Sequence, residues 1–385
     1  MTNAASKQQK TILLTGVTGQ VGSALAPLLQ ENGYQVLYLI RPNGEKDAQA
    51  RLYEVLPNLR EGMDIAIGGD VTLPNAGVSA EEIQKWRSKV DKVMHGAAAI
   101  SFEDSDAEKT RLTNVEGTYN MLRLAEELHA SDFHYISTAY ISGSASIFHE
   151  TDLDVGQTSF NAYEVSKIEA ELMVNDWNGG KFTIHRLPTV LGDSHDGNVR
   201  TFHSYYGFFM PFWRLLQTWR QKWESDPQGC LKSGVKFDGG VLELPLHIGC
   251  SHTAVFNLVT SDWVAGILAK LLEMPSTNQT YHLIHPNPPN TLWGIKASFK
   301  HLGISGIRYD DDIHELSGLL QRIQSGLDKG IKIYRQYIKH GAILTCDNLK
   351  QALGDSYTPP PVVDEILLAK MLDYAMSVNF GQKSR

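Results

Sequence analysis

The sequence predicts an α/β protein in which a doubly wound parallel sheet is followed by a smaller, mostly helical C-terminal lobe. Short strand-like runs alternate with helical segments through the first half of the chain, as expected when helices cover both faces of a parallel sheet. A glycine-rich turn joins the first of these runs to the first helix. The chain has 385 residues, which is enough for a full core and a second lobe.

The alternating elements follow one another in a regular order. The polar segment at residues 1–10 is expected to be a disordered tail, and helices are expected at Val21–Glu31 and Asp262–Glu273. The short apolar runs expected as strands are Thr11–Thr15, Gln35–Ile40, Asp64–Ile67, Lys92–His95, Phe133–Ser137, Val255–Val259 and Thr280–Ile284.

The pattern changes near residue 200, where Thr201–Glu224 is unusually aromatic. Phe208, Phe209, Phe212 and Trp213 either line a pocket for an apolar group or form the core of the second lobe. We therefore expect a first domain over residues 11–200, with strand and helix returns at about 254–286, and a second lobe over residues 201–253 and 287–385.

The composition narrows the function classes. The formal net charge is −8, so neither nucleic acid nor an anionic membrane surface is an expected partner. No apolar stretch approaches the roughly 20 residues that cross a bilayer, so no membrane insertion is expected and the cytoplasm is the default location. Cys230, Cys250 and Cys346 lie far apart and the histidines lack metal-ligand spacing, so neither a disulfide framework nor a metal site is expected.

The turn after the first strand has the form T-G-x-x-G-x-x-G. Glycine lets the backbone turn tightly and approach a pyrophosphate, and the helix N-terminus offers N–H groups and a positive dipole to the phosphates. A lone glycine pattern is also compatible with an ordinary turn, but the context of strand, turn and helix predicts a Rossmann domain that binds a dinucleotide. The residues expected at the cofactor are Thr15, Gly16, Thr18, Gly19, Gln20, Val21 and Gly22.

The end of the second strand indicates which dinucleotide binds. An NAD site usually has an acidic residue there, about 20 residues beyond the glycines, for the ribose 2′-hydroxyl. Here the strand ends in Leu39-Ile40-Arg41-Pro42, and the Arg41 guanidinium suits the 2′-phosphate of NADP(H). The alternative is a surface arginine ahead of a loop proline.

Further cofactor contacts are expected where the third and fourth strands end. Asp70 and Val71 follow the third strand, and the Asp70 carboxylate suits the adenine amine. Ala97, Ala98 and Ala99 follow the fourth strand, where small side chains let a ribose lie against the backbone. Either segment alone is compatible with a plain turn, but consecutive strand ends form the ligand-binding edge of an open α/β sheet.

Tyr163 and Lys167 form a Y-x-x-x-K pair at the start of a predicted helix and share one helix face. The ammonium is expected to lower the pKa of Tyr163 from about 10, so that the pair handles a proton while hydride moves at a nicotinamide. Thr138, at the tip of the preceding strand, either stabilises charge on the same substrate oxygen or only bonds local backbone. Asn114 either orders backbone or a water near Lys167, or is a plain helix-start residue.

Together these residues resemble the extended short-chain dehydrogenase/reductases, and in detail their thioester reductase and fatty acyl reductase branch, the male sterility group. The resemblance covers roughly residues 10–300. The matching segments are TGVTGQVG, LIRP, GDVT, HGAAAISF, NVEGT, YISTAYISG, YEVSK, RLPTVLG, NLVTSDWVA and YHLIHP.

The resemblance implies specific roles. Ala139 follows Thr138 where sugar-nucleotide dehydratases have an Asp-Glu pair, which disfavours dehydration. The segment LVTSDWV at residues 258–264 departs from the V-P-V-D-Y-V pattern of the branch. The implied catalytic triad is Thr138, Tyr163 and Lys167, and the implied cofactor contacts include Asn114, Tyr163 and Lys167 together with Pro188, Thr189 and Val190 beside the nicotinamide.

The resemblance also implies an activity. The chain is expected to use NADPH to reduce an acyl thioester, bound to a carrier protein or to coenzyme A, to an aldehyde, and a second reduction to an alcohol is left open. The second lobe is then the substrate-binding lobe, and an acyl carrier protein is an expected partner. Two alternatives stay open: a carbonyl reductase or alcohol dehydrogenase acting on a free ketone, aldehyde or hydroxyl, and a non-catalytic cofactor sensor, which the intact Tyr163 and Lys167 disfavour.

Overall fold

The structure, a computed structural model, describes residues 9–310, 316 and 318–382. The chain divides into two compact units, and each unit has a hydrophobic core of its own. The first unit comprises Met1–Val190, Ser261–Ile284 and Leu344–Thr358, and the second comprises Leu191–Thr260, His285–Ile343 and Pro359–Arg385.

Strands and helices alternate through most of residues 11–138 and follow one another less regularly after that. The strands are β1 (Thr11–Thr15), β2 (Gln35–Ile40), β3 (Asp64–Gly68), β4 (Lys92–His95), β5 (Asp132–Thr138), β6 (Ile147–Phe148), β7 (Lys181–Leu187), β8 (Thr189–Leu191), β9 (Lys236–Asp238), β10 (Val241–Glu243), β11 (Leu258–Thr260), β12 (Gln279–His282), β13 (Ile304–Ser305) and β14 (Ile343–Leu344). The helices are α1 (Gln20–Glu31), α2 (Ala48–Tyr53), α3 (Ala80–Trp86), α4 (Ala107–Arg111), α5 (Gly117–Leu128), α6 (Ala162–Asn175), α7 (Tyr205–Ser225), α8 (Pro227–Lys232), α9 (Ser261–Leu272), α10 (Thr291–Leu302), α11 (Gly318–Ile331), α12 (Arg335–Lys339), α13 (Asp347–Leu353) and α14 (Glu365–Ser377). Within the described ranges, no helix combines the length and the apolar character that a membrane span requires.

Seven parallel strands form the sheet of the first unit, in the order β12-β7-β5-β4-β1-β2-β3. The chain builds this sheet outward from β1 in both directions, so the strand order reverses between β1 and β4. Ligands of open α/β sheets bind at such a reversal, outside the carboxyl ends of the strands. The doubly wound Rossmann sheet expected from the sequence is therefore confirmed.

One strand of this sheet, β7, is absent from the sequence-based prediction. It lies between β5 and β12, and its residues Thr183, His185 and Arg186 are buried although they are polar. The His185 ring stacks on the His134 ring of β5, with centroids 5.3 Å apart and an interplanar angle of 7°. Interior parallel strands usually appear as apolar runs, so the polar content of KFTIHRL conceals this one.

Arg186 is the largest fully buried side chain of the described residues, and each of its three guanidinium nitrogens has a hydrogen-bond partner. Its Nε and Nη2 donate to the Glu171 carboxylate of α6 at 3.1 and 2.7 Å. Its Nη1 donates to the Glu150 carbonyl at 3.3 Å and lies 3.1 Å from Nε2 of His282. The ion pair and its additional bonds explain how a guanidinium is tolerated inside the sheet layer.

The first unit includes Leu344–Thr358, a segment that is expected from the sequence in the second lobe. The buried Glu150 carboxylate holds it there, accepting backbone N–H groups from Asn348 at 2.6 Å and Leu349 at 3.2 Å, and from His282 at 3.0 Å. The first N–H groups of a helix have no intrahelical acceptor, so a carboxylate at the start of α13 satisfies them. A local sequence pattern cannot predict the bonds of Glu150 to Asn348 and Leu349, because these residues lie far apart in the chain.

The beginning of the chain is tied to the first unit where it is described. Residues 1–8 of the expected disordered tail lie outside the described residues. The Gln9 side chain donates to the Gly33 carbonyl at 2.6 Å, and the Lys10 ammonium pairs with Glu273 at 2.7 Å. Residues 9 and 10 therefore differ from the expected tail.

The aromatic helix α7 packs within the second unit. Phe208, Phe209 and Phe212 are buried in its core, where the rings of Phe209 and Phe212 lie 5.3 and 4.7 Å from the ring of Phe299. The half-buried Trp213 donates its indole N–H to the Asn379 side chain at 3.1 Å. For the three phenylalanines, the structure supports the core role over the pocket role.

Removing the partner of Arg186 should destabilise the first unit strongly. Glu171→Ala leaves a buried guanidinium without its carboxylate, and breaking such a pair typically lowers the free energy of unfolding by about 3–5 kcal/mol. The control is Glu127→Ala, which breaks the exposed Arg87–Glu127 pair and should lower it by less than about 1 kcal/mol. Denaturant unfolding measures both, and equal effects would show that the Arg186 pair contributes no special stability.

Candidate active site

The predicted site residues gather at one edge of the seven-stranded sheet. The strands are parallel, so their carboxyl ends meet at the same edge, where Thr15 of β1 pairs with His95 of β4 and Thr138 of β5 pairs with Leu187 of β7. The glycine turn, the Ala97–Ala99 segment and the residues after β7 all follow these strand ends. The structure therefore brings the predicted cofactor and catalytic segments together.

The glycines of the turn are required by close backbone contacts. Gly16 has φ +84°, and a Cβ there would lie 2.6 Å from the Gly96 carbonyl carbon. A Cβ at Gly22 would lie 2.3 Å from the Gly16 carbonyl oxygen. Gly19 precedes α1 as its N-cap residue, so the first N–H groups of this helix open at the turn. This bare backbone at a helix start fits the pyrophosphate of a dinucleotide.

Thr15 supports the turn from inside the unit. Its buried hydroxyl accepts the backbone N–H groups of Gly96 at 3.1 Å and Ala97 at 3.0 Å, and it lies 2.9 Å from Nδ1 of His95. These bonds tie the loop after β4 to the end of β1. The predicted contact of Thr15 with a cofactor stays a prediction, since the structure shows its hydroxyl bonded within the chain.

Arg41 lies at the end of β2, with its side chain 62% exposed and its Nη1 3.8 Å from a carboxylate oxygen of Asp70. Asp70 also accepts the backbone N–H and hydroxyl of Thr72, at 3.0 and 2.8 Å. Arg51 of α2 donates to the Arg41 carbonyl. Arg51 is absent from the sequence-based prediction, because only the fold of α2 back onto β2 brings it to the strand end.

Val71 is buried beside α5. The Asn120 side chain donates to its carbonyl at 2.9 Å, and a Cβ at Gly117 would approach a Val71 methyl to 3.1 Å. These contacts fix the segment after β3 through its backbone. The predicted place of Val71 beside a cofactor stays a prediction.

Asn114 lies inside a π-helical turn, Leu112–Glu116, between α4 and α5. Its side chain accepts the Ala99 N–H at 2.8 Å and donates to the Ala99 carbonyl at 3.0 Å and to the Ser166 hydroxyl at 2.9 Å. It therefore ties the loop after β4 to the helix that carries Tyr163. The ordering role is the one observed, and the helix-start alternative is wrong. Such single π-turns often occur at functional sites.

Thr138 lies beside Tyr163, and Lys167 follows Tyr163 by one turn of α6, while their joint catalytic role stays a prediction. Tyr163 and Lys167 lie one turn apart at the start of α6, and all three side chains are buried. The Thr138 hydroxyl donates to the Leu187 carbonyl at 3.2 Å. Lys167 donates instead to the Tyr135 hydroxyl, at 2.6 Å, and Tyr135 is not among the residues predicted from the sequence.

The expected lowering of the Tyr163 pKa is wrong. Burial raises the pKa of Tyr163 above its usual value, and the neighbouring Thr138 side chain opposes this only in part. Burial also lowers the pKa of Lys167 to about 7, against the effect of the Glu171 carboxylate. Desolvation penalises the charged form of each group, so near neutral pH the phenol is protonated and the lysine only partly charged.

The segment after β7 is bonded across to the end of β5. Pro188 separates β7 from β8, and the buried Thr189 hydroxyl is hydrogen-bonded to the Tyr140 hydroxyl. Burial raises the pKa of Tyr140 to about 12. The backbone of Pro188, Thr189 and Val190 thus lies next to the end of β5 that carries Thr138, while its contact with a nicotinamide stays a prediction.

A family model and several known proteins are similar to part of this chain. Residues 14–226 match an NAD-binding family model described as male sterility protein. A linear gramicidin synthase from Brevibacillus parabrevis is 30% identical over 205 residues, which are 49% of this chain and 4% of that protein. The fatty acyl-CoA reductase wat of Drosophila melanogaster is 29% identical over 184 residues, which are 44% of this chain and 35% of that protein. This chain therefore spans a minor part of the length of either relative.

A solved structure resembles the chain over nearly its whole length. It is the terminal R domain from the myxalamid PKS-NRPS biosynthetic pathway, with a TM-score of 0.71 and 23% identity, covering 97% of this chain and 92% of that chain. At this identity the likeness shows a shared fold.

A methyl group at Gly22 should disrupt the turn. Gly22→Ala places a Cβ against the Gly16 carbonyl, and overpacking of this kind typically costs about 1–3 kcal/mol, so the affinity for a nicotinamide cofactor should fall roughly tenfold or more. Gly266→Ala in α9 is the matched control, because no atom lies within 4 Å of its added Cβ. Calorimetric titration with NADPH and NADH measures both variants, and unchanged affinity in Gly22→Ala would separate the turn from cofactor binding.

Proposed function

The chain belongs to the male sterility protein family, whose NAD-binding model spans residues 14–226, and from that membership we propose that it is an NADPH-dependent reductase of acyl thioesters. The observation that carries the proposal is the position of Thr138 beside Tyr163, with Lys167 one turn along α6, at the sheet edge that also bears the glycine turn. Acid catalyst and cofactor turn thus occupy the same ligand-binding edge.

The residues at this edge fit a dinucleotide. The turn at Gly16 and Gly22 leaves no room for side chains and exposes backbone at the start of α1. In our proposal this turn holds the pyrophosphate, together with Thr18, Gln20 and Val21, and Ala97–Ala99 border a ribose. A bound nicotinamide supplies a hydride.

The chain's own contribution is the handling of the proton and of the oxygen charge. Because burial raises its pKa, Tyr163 keeps its proton near neutral pH and serves as a general acid. In our proposal the Thr138 hydroxyl turns its proton from the Leu187 carbonyl to the same oxygen, where it stabilises negative charge as it develops. After hydride adds to a thioester carbonyl, the protonated product is a hemithioacetal, and breaking its C–S bond releases a thiol and an aldehyde.

The substrate class follows from the relatives. A fatty acyl-CoA reductase and a PKS-NRPS R domain are among the similar proteins, and the former acts, by its name, on an acyl-CoA thioester. We therefore assign an acyl thioester, with coenzyme A or an acyl carrier protein as the thiol. The released aldehyde can meet the same Tyr163–Thr138 pair again, so a second reduction to an alcohol belongs to the proposal.

We assign NADPH because two arginines meet at the end of β2. Arg41 is largely exposed there, and Arg51 lies within hydrogen-bonding distance of its carbonyl. A ribose 2′-phosphate carries a charge that guanidinium groups bind in a bidentate way, whereas an NAD site usually has an acid at this point. Asp70, 3.8 Å from Arg41, orients that guanidinium from the end of β3.

The function is tested by following NADPH absorbance with an acyl-pantetheine thioester and then with the matched free aldehyde and ketone. We expect oxidation of NADPH and release of thiol with the thioester. Tyr163→Phe should lose nearly all of this activity, about 100-fold or more, while it still binds NADPH, because only the acid is removed. Turnover confined to ketones would remove the thioester assignment, and near-normal turnover in Tyr163→Phe would reject the assigned acid.

Cofactor preference is tested at Arg41. Arg41→Asp replaces a charge-assisted hydrogen bond with repulsion, so KM for NADPH should rise roughly tenfold or more while KM for NADH changes little. Arg51→Gln should shift the preference in the same direction by a smaller factor. Arg123→Asp, which alters an exposed arginine of α5 paired with Glu126, is the control and should leave the ratio unchanged. An unchanged ratio in Arg41→Asp would mean that Arg41 is only a surface residue.

A further inference from the structure

Lys167 makes its contacts with β5 rather than with Tyr163. Its Nζ donates to the Tyr135 hydroxyl at 2.6 Å and to the Ile136 carbonyl at 2.8 Å, and it lies 4.1 Å from the centre of the Tyr135 ring. The lysine side chain is 2% exposed and Tyr135 is 1% exposed. A cation over a desolvated aromatic face is attracted to the ring as well as to its hydroxyl.

The Tyr135 hydroxyl is oriented by a second hydroxyl. The Thr118 side chain of α5 lies beside Tyr135, where it lowers the pKa of Tyr135 against the larger effect of burial. The fully buried Thr118 donates its own proton to the Asn114 carbonyl at 2.6 Å. Thr118 can therefore only accept a proton from Tyr135, an arrangement that leaves the Tyr135 oxygen to accept from Lys167.

This chain of bonds ends on a backbone carbonyl inside the π-helical turn. A carbonyl has no proton to give, so the chain cannot deliver protons to Lys167. It can only fix the Tyr135 oxygen as an acceptor that faces the ammonium. Consecutive hydrogen bonds that point the same way also polarise and strengthen one another.

We propose that Tyr135 is the positioning residue of Lys167: its hydroxyl and ring face hold the ammonium at the sheet edge, and Thr118 with the Asn114 carbonyl fixes that hydroxyl. The proposal rests on the proposed function in that Lys167 acts in the same site. It assigns Tyr135 no contact with substrate or cofactor.

Several charged and titratable groups surround Lys167, and Tyr135 is an uncharged hydrogen-bond partner among them. From α6, the Glu171 carboxylate raises the pKa of Lys167, and Tyr163 lies one turn before it. From β4, His95 faces the lysine, but burial and Lys167 lower the pKa of His95 to about 3, so it is uncharged near neutral pH. Burial raises the pKa of Tyr135, which is thus an uncharged acceptor.

The experiment follows the titration of Lys167 in the free protein by NMR of ¹³Cε-labelled lysine. Its signal is identified by its absence in Lys167→Met. In Tyr135→Phe the charged lysine loses an acceptor, so its titration midpoint should fall by about one pH unit or more. Tyr135→Leu also removes the ring face and should lower the midpoint further, whereas Thr118→Val, which only frees the hydroxyl, should lower it less.

Tyr34→Phe is the matched control. It removes a buried tyrosine hydroxyl that donates to the Leu272 carbonyl at 3.1 Å, and the Lys167 midpoint should stay at its wild-type value. An unchanged midpoint in a folded Tyr135→Phe would overturn the proposal, and this variant decides the matter even where Tyr135→Leu fails to fold.

The titration needs neither cofactor nor substrate, so it separates this proposal from the proposed function. If the wild-type protein reduces thioesters, loss of the charged lysine with rising pH should set an alkaline limb of kcat, and Tyr135→Phe should move that limb down in pH by the same amount as the NMR midpoint. A limb that stays in place while the midpoint moves would remove Lys167 positioning from catalysis. No thioester turnover with a shifted midpoint would overturn the function and leave the positioning intact.

Discussion

Helix α6 buries three ionisable side chains on one face, and the site depends on the strands that supply their partners. Tyr163, Lys167 and Glu171 lie four residues apart and are 7%, 2% and 0% exposed. Burying polar and charged groups is unfavourable unless each of them is bonded. Their partners are Thr138 and Tyr135 of β5 and Arg186 of β7. A shift of α6 by one residue would break the bonds of Lys167 and Glu171 and move Tyr163 away from Thr138, so this polar face sets the register of the helix on the sheet.

The sequence predicts those strands whose buried residues are apolar and misses a strand whose buried residues are polar. The apolar runs of β2 and β4 give strands with the predicted bounds, and the male sterility resemblance is confirmed for residues 14–226. Strand β7 escapes prediction because its buried polar residues bond to other elements: Nε2 of His185 lies 3.1 Å from Nδ1 of His134, and Arg186 pairs with Glu171. A local pattern records hydrophobicity, whereas the burial of β7 depends on bonds to residues that are distant in the chain.

The residues of the candidate site also fall into two groups, those indicated by a local sequence pattern and those brought in only by packing. The glycine turn and the Tyr163–Lys167 spacing are local, and the structure brings both to one sheet edge with Thr138. The matching segment YISTAYISG begins at Tyr135 but gives that residue no role, and Arg51 lies in no matching segment. Their contacts with Lys167 and Arg41 arise only when separate elements pack. Two opposing effects act on the pKa of Tyr163. Full burial shifts a pKa by up to about 3–5 units, whereas a nearby opposite charge shifts it by roughly 1–3 units. A lysine that is itself buried and only partly charged does not reverse that balance.

The two pKa shifts have different consequences for a reductase. Carbonyl reduction consumes a proton, and a buried phenol that stays protonated is ready to give one, whereas oxidation would require the phenolate. Lys167 is affected in the opposite way. Burial disfavours its charged form, while the Glu171 carboxylate favours it. That carboxylate also neutralises Arg186 inside the sheet layer. A single buried carboxylate therefore couples the stability of the strand arrangement to the charge of the lysine beside the acid, so the polar face of α6 cannot be optimised for one purpose without altering the other.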